Sequence, residues 1–275
     1  MAPALSLWSA LRRHWPYYLA EAAGIATFLT AASLGAVLIH HPDFPVRGWL
    51  GESELLRRAV LAGLMGLVLA GITYQRWGQR SGAQINPAVT LAFWQLGSLR
   101  PADACWYIVA QCAGAVLAGL ALSRLLAPWF PHPNVEYNLT LPGPAGWGVA
   151  LLAEVLITGA LMGLLLYALH SERLRPYTGW LVAALLALYI AFETPLSGMS
   201  LNPARSLGSA VGAGRYEHLW VYLVAPVAGA WLATALFQRL YHGAPLTCAV
   251  LAGCPAPGHG PHAAPQFPDP GGDQR

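Results

Sequence analysis

The sequence predicts an all-α membrane protein with six transmembrane helices plus two re-entrant half-helices, arranged as an inverted repeat. Three observations predict it: charge is scarce, six apolar runs have spanning length, and two shorter apolar segments each open on Asn-Pro-Ala.

Only 10% of the 275 residues are charged, 56% are hydrophobic and the mean hydropathy is +0.48. A soluble domain carries roughly 25% charged residues, so this chain cannot cover a core of its size with a charged surface. A lipid bilayer is the expected partner of most of its exterior. All 15 basic residues are Arg, and the net charge of +3 is too small and dispersed to suggest a nucleic-acid partner. Cys105 and Cys112 lie in apolar runs, where a thiol acts as a small hydrophobe. Cys248 and Cys254 lie near the end of the chain, and no spacing among the four indicates a disulfide scaffold or zinc site. No nucleophile elbow, metal triad or phosphate loop occurs, so no enzymatic activity, cofactor or metal is expected. The first apolar run lacks a small-residue cleavage site and reads as a retained helix.

A spanning helix needs about 20 apolar residues. The runs Tyr17 to His40, Leu55 to Tyr74, Ala102 to Leu126, Trp147 to Leu169, Tyr177 to Phe192 and Leu219 to Tyr241 qualify. Two segments are left, Asn86 to about Leu96 and Asn202 to about Val211. Asn is a good N-cap, and Pro at the first helical position loses only an N–H that would be unpaired anyway. Each segment therefore reads as a helix too short to cross, a half-helix dipping into the membrane. Glu21 and Glu154 occupy matching places in the first and fourth runs. Three spans per half force the halves (about 15–126 and 146–242) into opposite orientations, and the half-helices meet near the midplane. Residues 1–242 form one domain on this reading, and the Pro-, Gly- and His-rich stretch 243–275 reads as a disordered tail. His259 and His262 near Cys254 could bind metal but read as incidental.

Arg placement orients the chain. Arg12, Arg13, Arg76, Arg80, Arg100, Arg173, Arg175 and Arg239 fall on one side; Arg47, Arg57, Arg58, Arg124, Arg205 and Arg215 fall on or near the other. The excess puts both termini in the cytoplasm of a cell that carries this multi-pass protein in its inner or plasma membrane. The Pro- and Asn-rich loop 128–146 is then external, and Asn138-Leu139-Thr140 in it fits a glycosylation sequon.

The segments Ser81-Gly82-Ala83-Gln84-Ile85-Asn86-Pro87-Ala88-Val89-Thr90 and Ser197-Gly198-Met199-Ser200-Leu201-Asn202-Pro203-Ala204-Arg205-Ser206 resemble the two signatures of the aquaporin, or major intrinsic protein, family. Glu21, Gln111, Glu154 and Pro226 extend the likeness over roughly residues 15–242. Gln84 departs from it, since the family usually has His there. The resemblance implies a passive channel for water and small uncharged solutes that excludes protons and ions, assembled as a homotetramer with one pore per subunit. It implies that Asn86 and Asn202 donate to passing solute, and that Glu21 and Glu154 accept hydrogen bonds from the re-entrant loops. A proton relay is the other reading of the two glutamates. Gln111 is expected to satisfy loop backbone.

By the same resemblance the outer selectivity filter falls on Gly66, Ile190, Met199 and Arg205. Water-selective members typically carry an aromatic and a His at the first two positions. Here the first has no side chain and the second is apolar, which suggests a wide mouth admitting glycerol, urea, hydrogen peroxide or neutral metalloid acids. Ser206 after the filter Arg is a water-channel feature; Leu223, where water channels often have Trp, points the other way. Glu193 reads either as a solute-attracting group at the mouth or as a helix end in water. A secondary transporter is the rival class, since inverted repeats and half-helices occur there too.

Overall fold

The computed structural model describes residues 6–243, 246 and 249–253. Six long helices correspond to the six runs: α1 (Leu7–His40), α3 (Glu54–Tyr74), α6 (Pro101–Leu125), α7 (Trp147–His170), α8 (Thr178–Phe192) and α11 (Leu219–Leu240). Short helices α2 (Pro45–Leu50), α4 (Arg76–Ser81) and α9 (Thr194–Ser197) lie between them, as do single turns at Glu136–Asn138 and Arg175–Tyr177. The half-helices are α5 (Pro87–Gln95) and α10 (Pro203–Ala213). At 1.5 Å per residue they span about 14 and 16 Å, half of a hydrocarbon core of about 30 Å. The six crossings place the start of α1, the α3–α6 and α7–α8 connections and the stretch after α11 on one face, the N-terminal face.

The first helix begins ten residues before the apolar run. Ser6 caps it by accepting from the Ser9 amide, and the helix continues through Arg12, Arg13 and Pro16. A buried cluster holds this extension: Asp103, in the first turn of α6, accepts from the Tyr18 hydroxyl at 2.7 Å and lies 2.7 Å from His14 Nδ1. Sequence hydropathy ends where lipid would end; the helix ends where its packing does.

The inverted repeat is visible in the packing pairs. α1 packs on α6 and α7 on α11, the first and third spans of each half. α3 packs on α8, and each half-helix lies on the opposite half's third span, α10 on α6 and α5 on α11. Small residues let these backbones touch, as expected where lipid removes the hydrophobic drive between helices. A Cβ on Gly114 of α6 would lie 2.4 Å from the Ala22 carbonyl oxygen of α1, and a Cβ on Gly229 of α11 would lie 2.3 Å from the Val155 carbonyl oxygen of α7.

The outer surface is apolar. Leu67, Leu117, Leu152, Leu156, Leu232 and Leu236 are all more than half exposed. Aromatic pairs stand near helix ends, Trp147 against Trp220 and Tyr74 against Trp180, where amphipathic rings sit at a membrane interface. This is a multi-pass membrane protein. The stretch read from sequence as a disordered tail from 243 onward is different at residues 246 and 249–253, which pack against the N-terminal face; Cys254, His259 and His262 lie outside the described residues.

Gly229→Ala should lower the melting temperature in detergent by about 2–10 °C, the range for forcing about 1–3 kcal/mol of overpacking into a close crossing. Gly63→Ala, where a Cβ meets nothing within 4 Å, should leave it unchanged. Equal effects at the two positions would contradict this account of the crossing.

Candidate functional site: two re-entrant loops held head to head

Each half-helix is preceded by an extended approach with unusual backbone. Gly82, Ala83 and Ile85 have φ of 102°, 52° and 42°; Gly198, Met199 and Leu201 repeat this with 80°, 51° and 57°. A non-glycine residue in the left-handed region costs roughly 1–2 kcal/mol, so two per loop cost about 2–4 kcal/mol. Irregular backbone at membrane depth also exposes amides that helices would satisfy.

A buried carboxylate answers both problems in each half. Glu21 accepts from the Ser81 hydroxyl at 2.8 Å, the Gln84 amide at 3.1 Å, the Ile85 amide, and Gln111 Nε2 at 2.8 Å. Glu154 accepts from the Ser197 hydroxyl at 2.7 Å, the Ser200 amide at 2.7 Å and the Leu201 amide at 2.8 Å. Both glutamates are fully buried. A hydrogen bond to a charged group contributes about 1.5–3 kcal/mol, so two amides and a hydroxyl outweigh the backbone strain. Tyr107 and Tyr222 repeat the symmetry by donating to the Ser81 and Ser197 carbonyls. Gln111 does not reach the loop backbone as expected; it donates to Glu21 and to the Thr90 hydroxyl, at 3.0 Å. The second half has Pro226 at the corresponding level of α11.

The loops deliver Asn86 and Asn202 to one another. Asn86 Nδ2 donates to the Leu201 carbonyl at 2.8 Å, and Asn202 Nδ2 donates to the Ile85 carbonyl at 2.7 Å. Their Oδ1 atoms cap the half-helices, Asn86 accepting from the Ala88 amide and Asn202 from the Ala204 and Arg205 amides. Pro87 and Pro203 start the helices, and Ala88 and Ala204 are wholly buried. Each asparagine retains about a twelfth of its surface (8% and 7%), and each amide keeps a second N–H hydrogen.

Arg205 is 8% exposed in the first turn of α10. Its Nη2 donates to Asn138 Oδ1 at 3.3 Å, while Nη1 is buried without a partner. Asn138 thus belongs to the site and its Nδ2 is also buried, which is no place for a glycan. Ser206 joins Ser200 and Thr140, each at 2.6 Å. Asn138 and Thr140 are legible in the sequence only as loop and sequon residues, because nothing in it places the loop 128–146 over α10. Met199 and Ile190 are buried, on the second loop and the inner face of α8. Gly66 is buried against α8: a Cβ there would lie 3.1 Å from the Ala183 carbonyl oxygen and 3.4 Å from Ala187 Cβ. Its smallness is therefore partly taken up by a close helix crossing.

Glu193 follows the last turn of α8 and is 7% exposed, so it does not sit in water. Neither carboxylate oxygen has a hydrogen-bond partner of normal geometry. Burial pushes this carboxyl up to about 7; Ser197 nearby opposes the shift and Glu154 adds to it.

Two predictions follow from these contacts. Glu154→Gln offers one acceptor oxygen and turns an NH2 toward the loop, leaving at least one buried amide unpaired at about 1–3 kcal/mol. The melting temperature in detergent should fall by about 2–10 °C. A melting temperature equal to the parent's would contradict the clamp. For Glu193 the folded state binds an extra proton between the ordinary carboxylate range and about pH 7, so its contribution to stability is present in acid and lost as pH rises through about 7. Glu193→Gln should thus raise the melting temperature at pH 8 by about 2–4 °C more than at pH 5; the same offset at both would contradict the buried-acid assignment.

Comparison with known proteins agrees with this geometry. The profile of the Major intrinsic protein family matches residues 9–237. Aquaporin-4 of Notomys alexis is 37% identical over 201 residues, covering 70% of this chain and 60% of the relative. Probable aquaporin NIP7-1 of Arabidopsis thaliana is 34% identical over 193 residues, covering 69% of this chain and 66% of the relative. The chain thus spans somewhat under two thirds of the length of these relatives. The X-ray structure of the aquaglyceroporin from Plasmodium falciparum shares the fold, with a TM-score of 0.68 at 20% identity over 82% of this chain and 96% of that one. With paired Asn-Pro-Ala half-helices in an inverted repeat and a family profile covering most of its length, the chain belongs to the major intrinsic protein family.

Proposed function

We propose that this chain is a passive membrane channel for water and small uncharged solutes. The observation that carries the reading is the crossed pair of bonds from Asn86 to the Leu201 carbonyl and from Asn202 to the Ile85 carbonyl. They set two helix N-termini against each other inside the bundle. Each N-terminus carries roughly half a positive charge, so a cation meets repulsion from both sides, while an oxygen lone pair meets the spare N–H of each asparagine. A water molecule oriented by both is a poor link in a proton-conducting chain. Arg205, with an unpartnered Nη1, supplies a further donor and a further positive charge on the path.

The names of the relatives cover aquaporins and an aquaglyceroporin. For this chain Ile190 and Met199 supply buried apolar surface and Arg205 a donor, a set suited to a solute with both CH and OH surfaces such as glycerol. Gly66 contributes less to a wide mouth than its lack of a side chain suggests, because α8 approaches it. Leu223 is 38% exposed, a poor position for lining a conduit within one subunit. The reading extends to a homotetramer in the cell membrane with both termini cytoplasmic, the N-terminal face being the cytoplasmic one, and to no enzymatic activity.

A transporter would need its two halves to move apart alternately. Here each half-helix packs on the other half's third span and the loops are bonded across the centre, which favours a static conduit.

Stopped-flow light scattering on proteoliposomes tests the reading. Water and glycerol flux should rise linearly with the imposed gradient, without dependence on an ion or proton gradient. Absence of both fluxes, or saturable ion-coupled flux, would contradict it. Ile190→His should slow glycerol several-fold more than water by exchanging an apolar wall for a polar one, a difference of about 1 kcal/mol; an unchanged glycerol-to-water ratio would place the constriction elsewhere.

A further inference from the structure

We propose that residues 249–253 are a built-in plug over the cytoplasmic mouth of the conduit, so that their release raises flux. This rests on the channel reading above. The chain leaves α11 on the same face as the connection containing the first re-entrant loop. Leu246, Ala249 and Leu251 contact the protein on that face. The Leu251 amide donates to the Gly82 carbonyl at 2.9 Å, Gln84 Nε2 donates to the Ala249 carbonyl at 3.1 Å, and the Ser98 hydroxyl donates to the Leu246 carbonyl at 2.9 Å. Ala249 is wholly buried and Leu251 is 4% exposed.

The place of these contacts decides their meaning. Gly82 and Gln84 lie on the approach to Asn86, between the N-terminal face and the midplane. Ser98 follows the far end of α5. On the other side, Gly253 abuts the Arg175 carbonyl, close enough that a Cβ at 253 would lie 2.7 Å from it. Arg175 belongs to the α7–α8 connection of the second half. A segment that touches the first half's re-entrant loop and the second half's connection on the same face lies across the seam between the halves, where the conduit emerges. Its composition suits the position, since no charged residue occurs from Gly243 to Gly253. Gly82 fits too: with φ of 102° and the Ala249 carbonyl oxygen 2.3 Å from a Cβ built there, any side chain would collide with the segment. Gln84, where the resemblance leads one to expect His, spends its amide on Ala249 and its carbonyl on the Thr90 hydroxyl. It anchors the segment instead of presenting a ring to solute.

The test is stopped-flow water and glycerol permeability of the full-length chain in proteoliposomes, normalised to reconstituted protein, for the parent, Leu251→Asp, Leu251→Ala and Leu251→Met. A charge at 251 cannot stay in the buried site, Ala weakens docking, and Met preserves it. A mouth open about one tenth of the time conducts about a tenth of its capacity, so Leu251→Asp should raise both permeabilities by up to about tenfold. Leu251→Ala should raise them by less, and Leu251→Met should match the parent. If Leu251→Asp does not fold, as judged by melting in detergent, Leu251→Ala decides by the same criterion. A conducting parent with variants that melt normally and conduct equally or less overturns the plug and leaves the channel intact. No flux from any of the four overturns the channel reading, and the plug with it.

Discussion

The architecture depends on two buried carboxylates. Glu21 and Glu154 hold the amides of Gln84, Ile85, Ser200 and Leu201, which no helix could satisfy because the backbone there turns repeatedly through the left-handed region. Without those acceptors the loops would carry strained residues and unpaired donors at the centre of a bilayer protein. With them, the strained geometry becomes the one that satisfies the backbone. A carboxylate suits this task better than an amide because it only accepts. This geometry also bears on the relay reading of the two glutamates: each is surrounded by donors from its own half.

The repeat then doubles the device. The offset from Ser81 to Ser197 is kept through Gln84 and Ser200, Ile85 and Leu201, and Asn86 and Asn202, and each pair makes matching contacts. Asymmetry enters beside the clamp. The first half backs its carboxylate with Gln111 and Thr90, while the second has Arg205 and Ser206 near it. The half with the neutral backing faces the segment that follows α11, and the half with the charge faces the loop between α6 and α7 through Asn138. The two faces therefore differ although the scaffold is symmetric.

Much of this was legible in the sequence, for stated reasons. Apolar length fixes a span because hydrocarbon thickness is fixed, and Asn followed by Pro fixes a helix start because both residues act locally. Gly82 and Gly198 signal left-handed backbone, but Ala83, Ile85, Met199 and Leu201 do not, since their conformation is imposed by a glutamate far away in the chain. The start of α1 was missed because Arg12, Arg13 and Pro16 end an apolar run without ending a helix that Asp103 holds. Gly66 reads as an open position in the sequence and becomes a helix contact in three dimensions. The tail shows the same limit: Pro and Gly suggest disorder, yet Ala249 and Leu251 find a site made by residues more than 150 positions earlier.

Amide hydrogen exchange of the reconstituted protein tests the central claim most directly. The amides of Gln84, Ile85, Ser200 and Leu201 should exchange as slowly as those in the middle of the spanning helices, because each is bonded to a buried carboxylate. Exchange at those four positions at the rate of the surface connections would contradict it.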